Sequence, residues 1–300
     1  MLYLRTPEEQ FQNLEAYPFN SNYITLSENG LRMHYLEEGN SKGKTILLLH
    51  GEPSWSYLYR KMIPFLASNG YRVIAPDLIG FGKSDKPISQ DDYTYQSHMD
   101  WLEIFLKTLD LKNITLFCQD WGGLLGLRLV SLHEDRFDRV IAGNTFLPTG
   151  EGTPSQAFLD WRNFSQNVKR LPVGKIIQNG CVSKLSSEVL RGYNAPYPSE
   201  EYKAGARKFP VLVPVTPDNP EGIKNKKAWE ILRNWKKPFL TTFSDSDPVT
   251  AKGDIFLKRA IPGAKGQPHV TIKEAGHFLQ EDKGEELAKI IHDFISGKLE

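Results

Sequence analysis

The sequence reads as an α/β protein, with a mostly parallel sheet, helices on both faces and one helical insertion. Three observations carry that reading. Short unbroken apolar runs, as expected of strands buried on both faces, recur along the chain. Stretches with apolar residues at i, i+3, i+4 and i+7 stand between them. The alternation lapses once, over residues 147–237. Strands alternating with helices make βαβ units and hence parallel pairing.

In chain order, residues 23–26 and 31–36 flank Glu28-Asn29-Gly30, and Asn-Gly tolerates the positive φ of a tight turn. They predict a hairpin at an antiparallel edge. The run TILLL at residues 45–49 is the first fully buried strand, and 72–75, 114–118, 139–142, 239–243 and 269–272 repeat its type. Helical spacing covers 57–67, 95–109, 122–133 and 285–295. The stretch 147–237 holds nine prolines and the tryptophans Trp161, Trp229 and Trp235, with a helical piece at 156–168. Pro148 and Pro238 border it, as when a chain leaves a sheet and returns. The expected organisation is a core of 1–146 and 238–300 interrupted by a helical cap, 147–237. A second independent domain fits less well, because the segment lies between two strands of one sheet.

Composition excludes several classes. Lys+Arg 37 against Asp+Glu 36 leaves a net charge of +1 over 300 residues, so no global field draws the chain to nucleic acid or anionic lipid. No apolar run approaches the ~20 residues of a membrane-spanning helix. An aromatic fraction of 11% argues against disorder. Cys118 and Cys181 allow one bridge at most, sit in no CxxC, and read as small buried apolar residues. The first residues lack the apolar core of a secretory signal, so a reducing cytoplasm is the expected location. The glycosylation patterns at Asn113 and Asn163 then have no consequence. A monomer acting on a small uncharged molecule, without nucleic acid or membrane, is expected.

The strongest local signal is the strand at 114–118 running through Gln119-Asp120-Trp121-Gly122 into a helix. This has the shape of a nucleophile elbow, usually written G-x-S-x-G, with Asp120 where serine usually stands. Small residues at Cys118 and Gly122 suit a turn that brings backbones together, and the elbow lifts its middle side chain to the sheet's carboxyl edge. The plain alternative is an N-cap, a common task for Asp at a strand–helix junction. Partners follow in the order nucleophile, acid, histidine. His277 lies in Glu274-Ala-Gly-His-Phe, after the last strand, and is the expected general base. Ser244-Asp-Ser-Asp-Pro-Val249 offers Asp245 and Asp247; Asp247 is the expected acid, with Asp245 a turn former. The other acid position, after strand 139–142, holds Asn144 and Thr145, and neither can be an anion. His50-Gly-Glu-Pro-Ser-Trp55 follows the first buried strand, where the N–H of Glu52, with that of Trp121, is placed to receive an oxyanion. A cis Glu52–Pro53 bond is expected there. Gly82-Lys83-Ser84 imitates a P-loop ending, but Asp77 occupies the first glycine position, so no nucleotide site is expected. The histidines show no metal spacing, and neither metal nor cofactor is expected.

A carboxylate at the elbow changes the chemistry. Ionised at neutral pH, it attacks without a base but is a poor nucleophile toward esters; it suits displacement at saturated carbon. Water activated by His277 then hydrolyses the resulting alkyl ester, while Asp247 orients the imidazole.

At this point the chain resembles the haloalkane dehalogenases, in the subfamily with an Asp–His–Asp triad. HGEPSW, DLIGFGKSDKP, QDWGG, FLDW, NAPYPSEEYKAGARKFP and AGHFLQED carry the resemblance, which spans residues 4–295. It implies the α/β-hydrolase fold and conversion of a haloalkane and water to an alcohol, a halide and a proton. It implies Asp120 as nucleophile, His277 as base, Asp247 as acid, and Trp121 as a donor of its indole N–H to the departing halide. Sister subfamilies place Asn after His-Gly, where this chain has Glu52. Trp161 in Phe158-Leu-Asp-Trp161 fits the alternative second donor, although a helix-face Trp also serves plain packing. Phe158, three residues earlier, would line the same pocket. The chain departs from the closest pattern in the glycine-rich stretch Thr149-Gly-Glu-Gly-Thr153, which bears on cap geometry and substrate size.

Two rival readings remain. An epoxide hydrolase shares the Asp nucleophile and needs cap tyrosines, for which Tyr193, Tyr197 and Tyr202 are candidates. A non-catalytic binding protein on the same fold would show an incomplete triad.

Overall fold

The structure, a computed structural model, describes residues 1–26 and 30–299. Eight strands form one sheet: β2 (Asn22–Thr25), β3 (Arg32–Gly39), β4 (Thr45–Leu49), β5 (Arg72–Pro76), β7 (Ile114–Gln119), β8 (Phe137–Gly143), β9 (Phe239–Ser244) and β10 (Val270–Ile272). Their spatial order is β10-β9-β8-β7-β4-β5-β3-β2. Pairing is parallel from β10 through β5, and antiparallel where β3 meets β5 and β2. Every residue of β4 and β7 is buried, as their apolar runs require of strands covered on both faces. The hairpin pairs Asn22 with Tyr35 and Thr25 with Arg32. Of its expected turn, Glu28 and Asn29 lie outside the described residues. Strands β1 (Tyr3–Leu4) and β6 (Lys86–Pro87) form a separate two-stranded ladder, too short to leave a periodic signal.

Helices α1 (Ile63–Ser68), α2 (Tyr95–Thr108), α3 (Trp121–Leu132), α9 (Gly253–Ala260) and α10 (Leu279–Ser296) belong to the sheet-forming part of the chain. A reciprocal capping box between Thr94 and Ser97 starts α2. The single helix expected over 57–67 does not form. Ser56–Tyr59 is a 3₁₀ turn, and α1 begins only at Ile63. Pro64 has no N–H to donate to the carbonyl of Arg60, so it is accommodated only in a first turn. Tyr57, Leu58, Tyr59 and Met62 are all buried, so their apolar spacing reflects enclosure on every side. The last helix starts earlier than expected, with a non-helical residue at Lys283. Cys118 is buried as expected, whereas Cys181 is only partly so, because it lies on the wall of a cavity.

Among the described residues, five α-helices stand between the neighbouring parallel strands β8 and β9: α4 (Gln156–Asn167), α5 (Val173–Asn179), α6 (Ser187–Asn194), α7 (Ala204–Leu212) and α8 (Pro220–Leu232). Polar contacts tie them to the sheet-forming part. Arg128 of α3 meets Glu221 of α8 at 2.5 Å, while within the insertion the indole N–H of Trp229 donates to the Leu147 carbonyl. Trp55 donates to the Gly192 carbonyl of α6 at 3.1 Å. No helix among the described residues is long and apolar enough to cross a membrane.

Candidate active site

The end of β7 creates the site. Asp120 has φ 50° and ψ −128°, a conformation few non-glycine residues adopt. Neighbours hold it there: its N–H donates to the Asn144 carbonyl at 3.0 Å, and its own carbonyl accepts from the Thr145 hydroxyl at 2.7 Å. The crossing is tight, since a Cβ on Gly122 would stand 2.0 Å from the Leu49 carbonyl oxygen and one on Gly51 would stand 2.3 Å from Asp120 Oδ1. Asp120 occupies the N-cap position of α3, yet its side chain makes no cap hydrogen bond. The carboxylate faces the other way. Oδ1 accepts from the Glu52 N–H at 2.7 Å, and Oδ2 lies 3.4 Å from His277 Nε2.

His277 sits in the loop between β10 and α10, and its Nδ1 lies 3.0 Å from Asp247 Oδ2. Asp247 is buried after β9, where it accepts the N–H groups of Val249 and Thr250 and the Thr250 hydroxyl. Burial opposes its charge, but the histidine and these donors overcome that and hold its pKa at about 2. Burial likewise opposes an imidazolium at His277; Asp247 and Asp120 on either side outweigh it and raise the ring to about 10. Asp245 is exposed, accepting from the Ser246 hydroxyl, and does not reach His277. The structure therefore distinguishes two carboxylates that sequence alone leaves two positions apart.

Glu52 lies beside this row. The Glu52–Pro53 peptide is cis, as anticipated. Its carboxyl is buried and pushed well above the usual carboxylate range, by burial first and the Asp120 charge second. His50 holds this loop. Its Nε2 accepts from the Leu78 N–H at 2.9 Å, so the proton resides on Nδ1, which donates to the Gly51 carbonyl at 2.9 Å.

A cavity of about 960 Å³ opens over Asp120 and is lined by Glu52, Trp121, Phe158, Trp161 and His277, with mainly apolar neighbours. Trp121 is wedged edge-on against Phe209, ring centres 4.5 Å apart, and against Tyr95. Trp161 and Phe158 come from α4, whose start is capped by Ser155 accepting the Phe158 N–H. Neither indole N–H, of Trp121 or Trp161, is engaged by a protein acceptor among the described residues, unlike those of Trp55 and Trp229. Tyr193, Tyr197 and Tyr202 do not line the cavity. Tyr193 instead donates to Glu281, and Tyr197 to the Pro53 carbonyl. Among the described residues no three His, Cys, Asp or Glu side chains gather to hold a metal ion.

Sequence reasoning missed the supports. Gln119 Nε2 lies 3.1 Å from both the Nε2 and the carbonyl oxygen of His277. Asn144 donates to the Gly276 and His277 carbonyls and accepts the Ser244 N–H. Only the position of Gln119 inside the elbow could have signalled the first; nothing local signals the second.

Residues 44–284 match the family model of the alpha/beta hydrolase fold. Over 98% of each chain, the protein is 57% identical to a haloalkane dehalogenase of Psychrobacter cryohalolentis. It is 50% identical to one of Mycobacterium marinum, over 96% of this chain and 98% of that one. A tetrameric haloalkane dehalogenase structure from Paraglaciecola agarilytica superposes with a TM-score of 0.90 at 39% identity, covering 96% of this chain and 97% of the other.

Proposed function

Because the chain belongs to the haloalkane dehalogenases of the alpha/beta hydrolase fold, we propose that its hydrolysis of carbon–halogen bonds runs through Asp120, His277 and Asp247. Oδ2 of Asp120 attacks the halogen-bearing carbon, the carbon–halogen bond breaks, and the halide departs toward the free N–H groups of Trp121 and Trp161. The product is an alkyl ester of Asp120 whose carbonyl oxygen, Oδ1, already meets the Glu52 N–H. A water then gives a proton to His277 Nε2 and attacks the ester carbon. The negative charge on Oδ1 is received by the backbone N–H groups of Glu52 and Trp121. Asp247 holds the ring and stabilises its cation. Collapse releases the alcohol. The observation that carries the reading is the continuous row Glu52 N–H, Asp120, His277 and Asp247, with steps of 2.7, 3.4 and 3.0 Å.

Residues 147–237 act as the cap, with α4 supplying Trp161 and Phe158 to the cavity. Its largely apolar lining suits a small uncharged substrate. A monomer is the state expected from the sequence, and the tetramer of the Paraglaciecola relative is the alternative that sedimentation distinguishes. A cytoplasmic location accords with two unpaired cysteines.

Incubation with a short bromoalkane, run beside an epoxide, tests the reading. Bromide and acid should appear in equal amounts with the alcohol. Diol from the epoxide without bromide from the bromoalkane would overturn it.

A further inference from the structure

The Glu52 backbone is accounted for, but its side chain is not. Only 5% of the residue is exposed, and it borders the cavity beside Asp120 and His277. Its Oε1 is enclosed and has no hydrogen-bond partner in the protein. Buried polar oxygens without partners are rare, and an enclosed, unpartnered oxygen is tolerated far better on a neutral acid than on a carboxylate, while the rest of the carboxyl borders the cavity. The groups that face it are Asp120 from the end of β7, His277 from the loop after β10, and the buried phenol of Tyr197 from the segment after α6. None is a permanent cation.

We propose that the Glu52 side chain, as the neutral acid, orients the water that hydrolyses the Asp120 ester, which makes it a positioning residue of the second half-reaction. The water gives one hydrogen to His277 Nε2 and the other, as a hydrogen bond, to the carboxyl oxygen of Glu52 that borders the cavity, leaving a lone pair aimed at the ester carbon. Burial favours the protonated form throughout, and the Asp120 charge adds to it before alkylation. Neutrality matters to the step. An anion here would oppose the charge that develops on Oδ1, since it stands on the same residue as the N–H meant to receive that charge. The balance closes without Glu52 changing state. The new C–O bond forms as one water proton passes to His277, and the ester C–O bond breaks as the alcohol takes that proton. The second water proton, left on the Asp120 carboxyl, departs to solvent and restores the carboxylate, and Glu52 begins and ends protonated.

The proposal rests on Asp120 being the alkylated residue, which His277→Phe tests separately through its trapped adduct. Single-turnover reactions with a short bromoalkane separate bromide release from alcohol formation. Glu52→Leu should still release bromide in a burst but form alcohol at least ~10-fold more slowly, so that an alkyl adduct accumulates in the intact mass. Glu52→Gln, neutral and of the same shape, should restore alcohol formation to within about 3-fold and remove the fall at high pH that ionisation of Glu52 produces in the parent enzyme. Three results overturn the proposal: hydrolysis by Glu52→Leu at the parent rate, Glu52→Gln as slow as Glu52→Leu, or an alkaline fall that persists in Glu52→Gln. Should Glu52→Leu not fold, the Gln variant's pH profile decides alone.

Discussion

His277 Nε2 faces Asp120 Oδ2 at 3.4 Å while Nδ1 of the same ring lies 3.0 Å from Asp247. The imidazole is therefore held between two carboxylates, and in the mechanism proposed above one of them, Asp120, loses its charge when it is alkylated. In the resting enzyme both anions favour the cation; in the ester only Asp247 does. Alkylation thus lowers the basicity of the ring at the stage when it must accept a proton and release it again.

The same clamp predicts a pH-dependent stability. A histidine raised from 6.5 to about 10 stabilises the fold fully below its unfolded pKa, and the contribution fades as pH rises toward 10. The urea midpoint should fall between pH 6.5 and 10, and His277→Phe should lose most of that slope. An equal slope in both proteins would mean another group is responsible.

Asp247, lowered from 3.8 to about 2, acts in the opposite direction. Its contribution is present above the unfolded value and disappears as pH falls toward 2. Asp247→Asn should lower turnover by ~10³-fold or more, by analogy with loss of the orienting acid in a triad. Asp245→Asn, whose carboxylate is exposed, should stay within about 3-fold of the parent. Comparable losses in both variants would contradict the assignment of the acid.

Without its base, the enzyme should stop at the ester. Intact-mass analysis of His277→Phe after exposure to a bromoalkane should show one alkyl group per chain, and peptide mapping should place it on Asp120. Continued turnover with no adduct would exclude the covalent route.

Halide affinity tests the indoles. Trp161→Phe keeps the ring packing but removes the N–H, so halide binding followed by quenching of fluorescence should weaken by ~10-fold, about the worth of one hydrogen bond to a charged group. Trp121→Phe should do the same. An unchanged dissociation constant in Trp161→Phe would return that residue to a packing role.

Gly122→Ala probes the elbow itself. The added Cβ would stand 2.0 Å from the Leu49 carbonyl oxygen, a backbone atom that cannot swing aside. The variant should lose about 1–3 kcal/mol or more of stability by chemical denaturation. A loss below ~0.5 kcal/mol would mean that β4 and α3 are less tightly joined than the structure has them.

The order of strands and helices, the elbow and the residue types of the row at its tip were legible in the sequence. Each rests on local information: an apolar period over five to twelve residues, a small-x-Asp-x-Gly turn, or a histidine just past a strand. Tertiary structure decided whatever depends on atoms far apart in the chain. It selected Asp247 over Asp245, because only one of two nearby carboxylates is buried against His277. It broke the expected helix at Pro64 and brought Gln119 and Asn144 against a loop more than 130 residues away. It also enclosed Glu52 beside another acid. Sequence names that residue and its backbone N–H, but the state of its carboxyl depends on burial and a neighbouring charge, and both exist only in the folded chain.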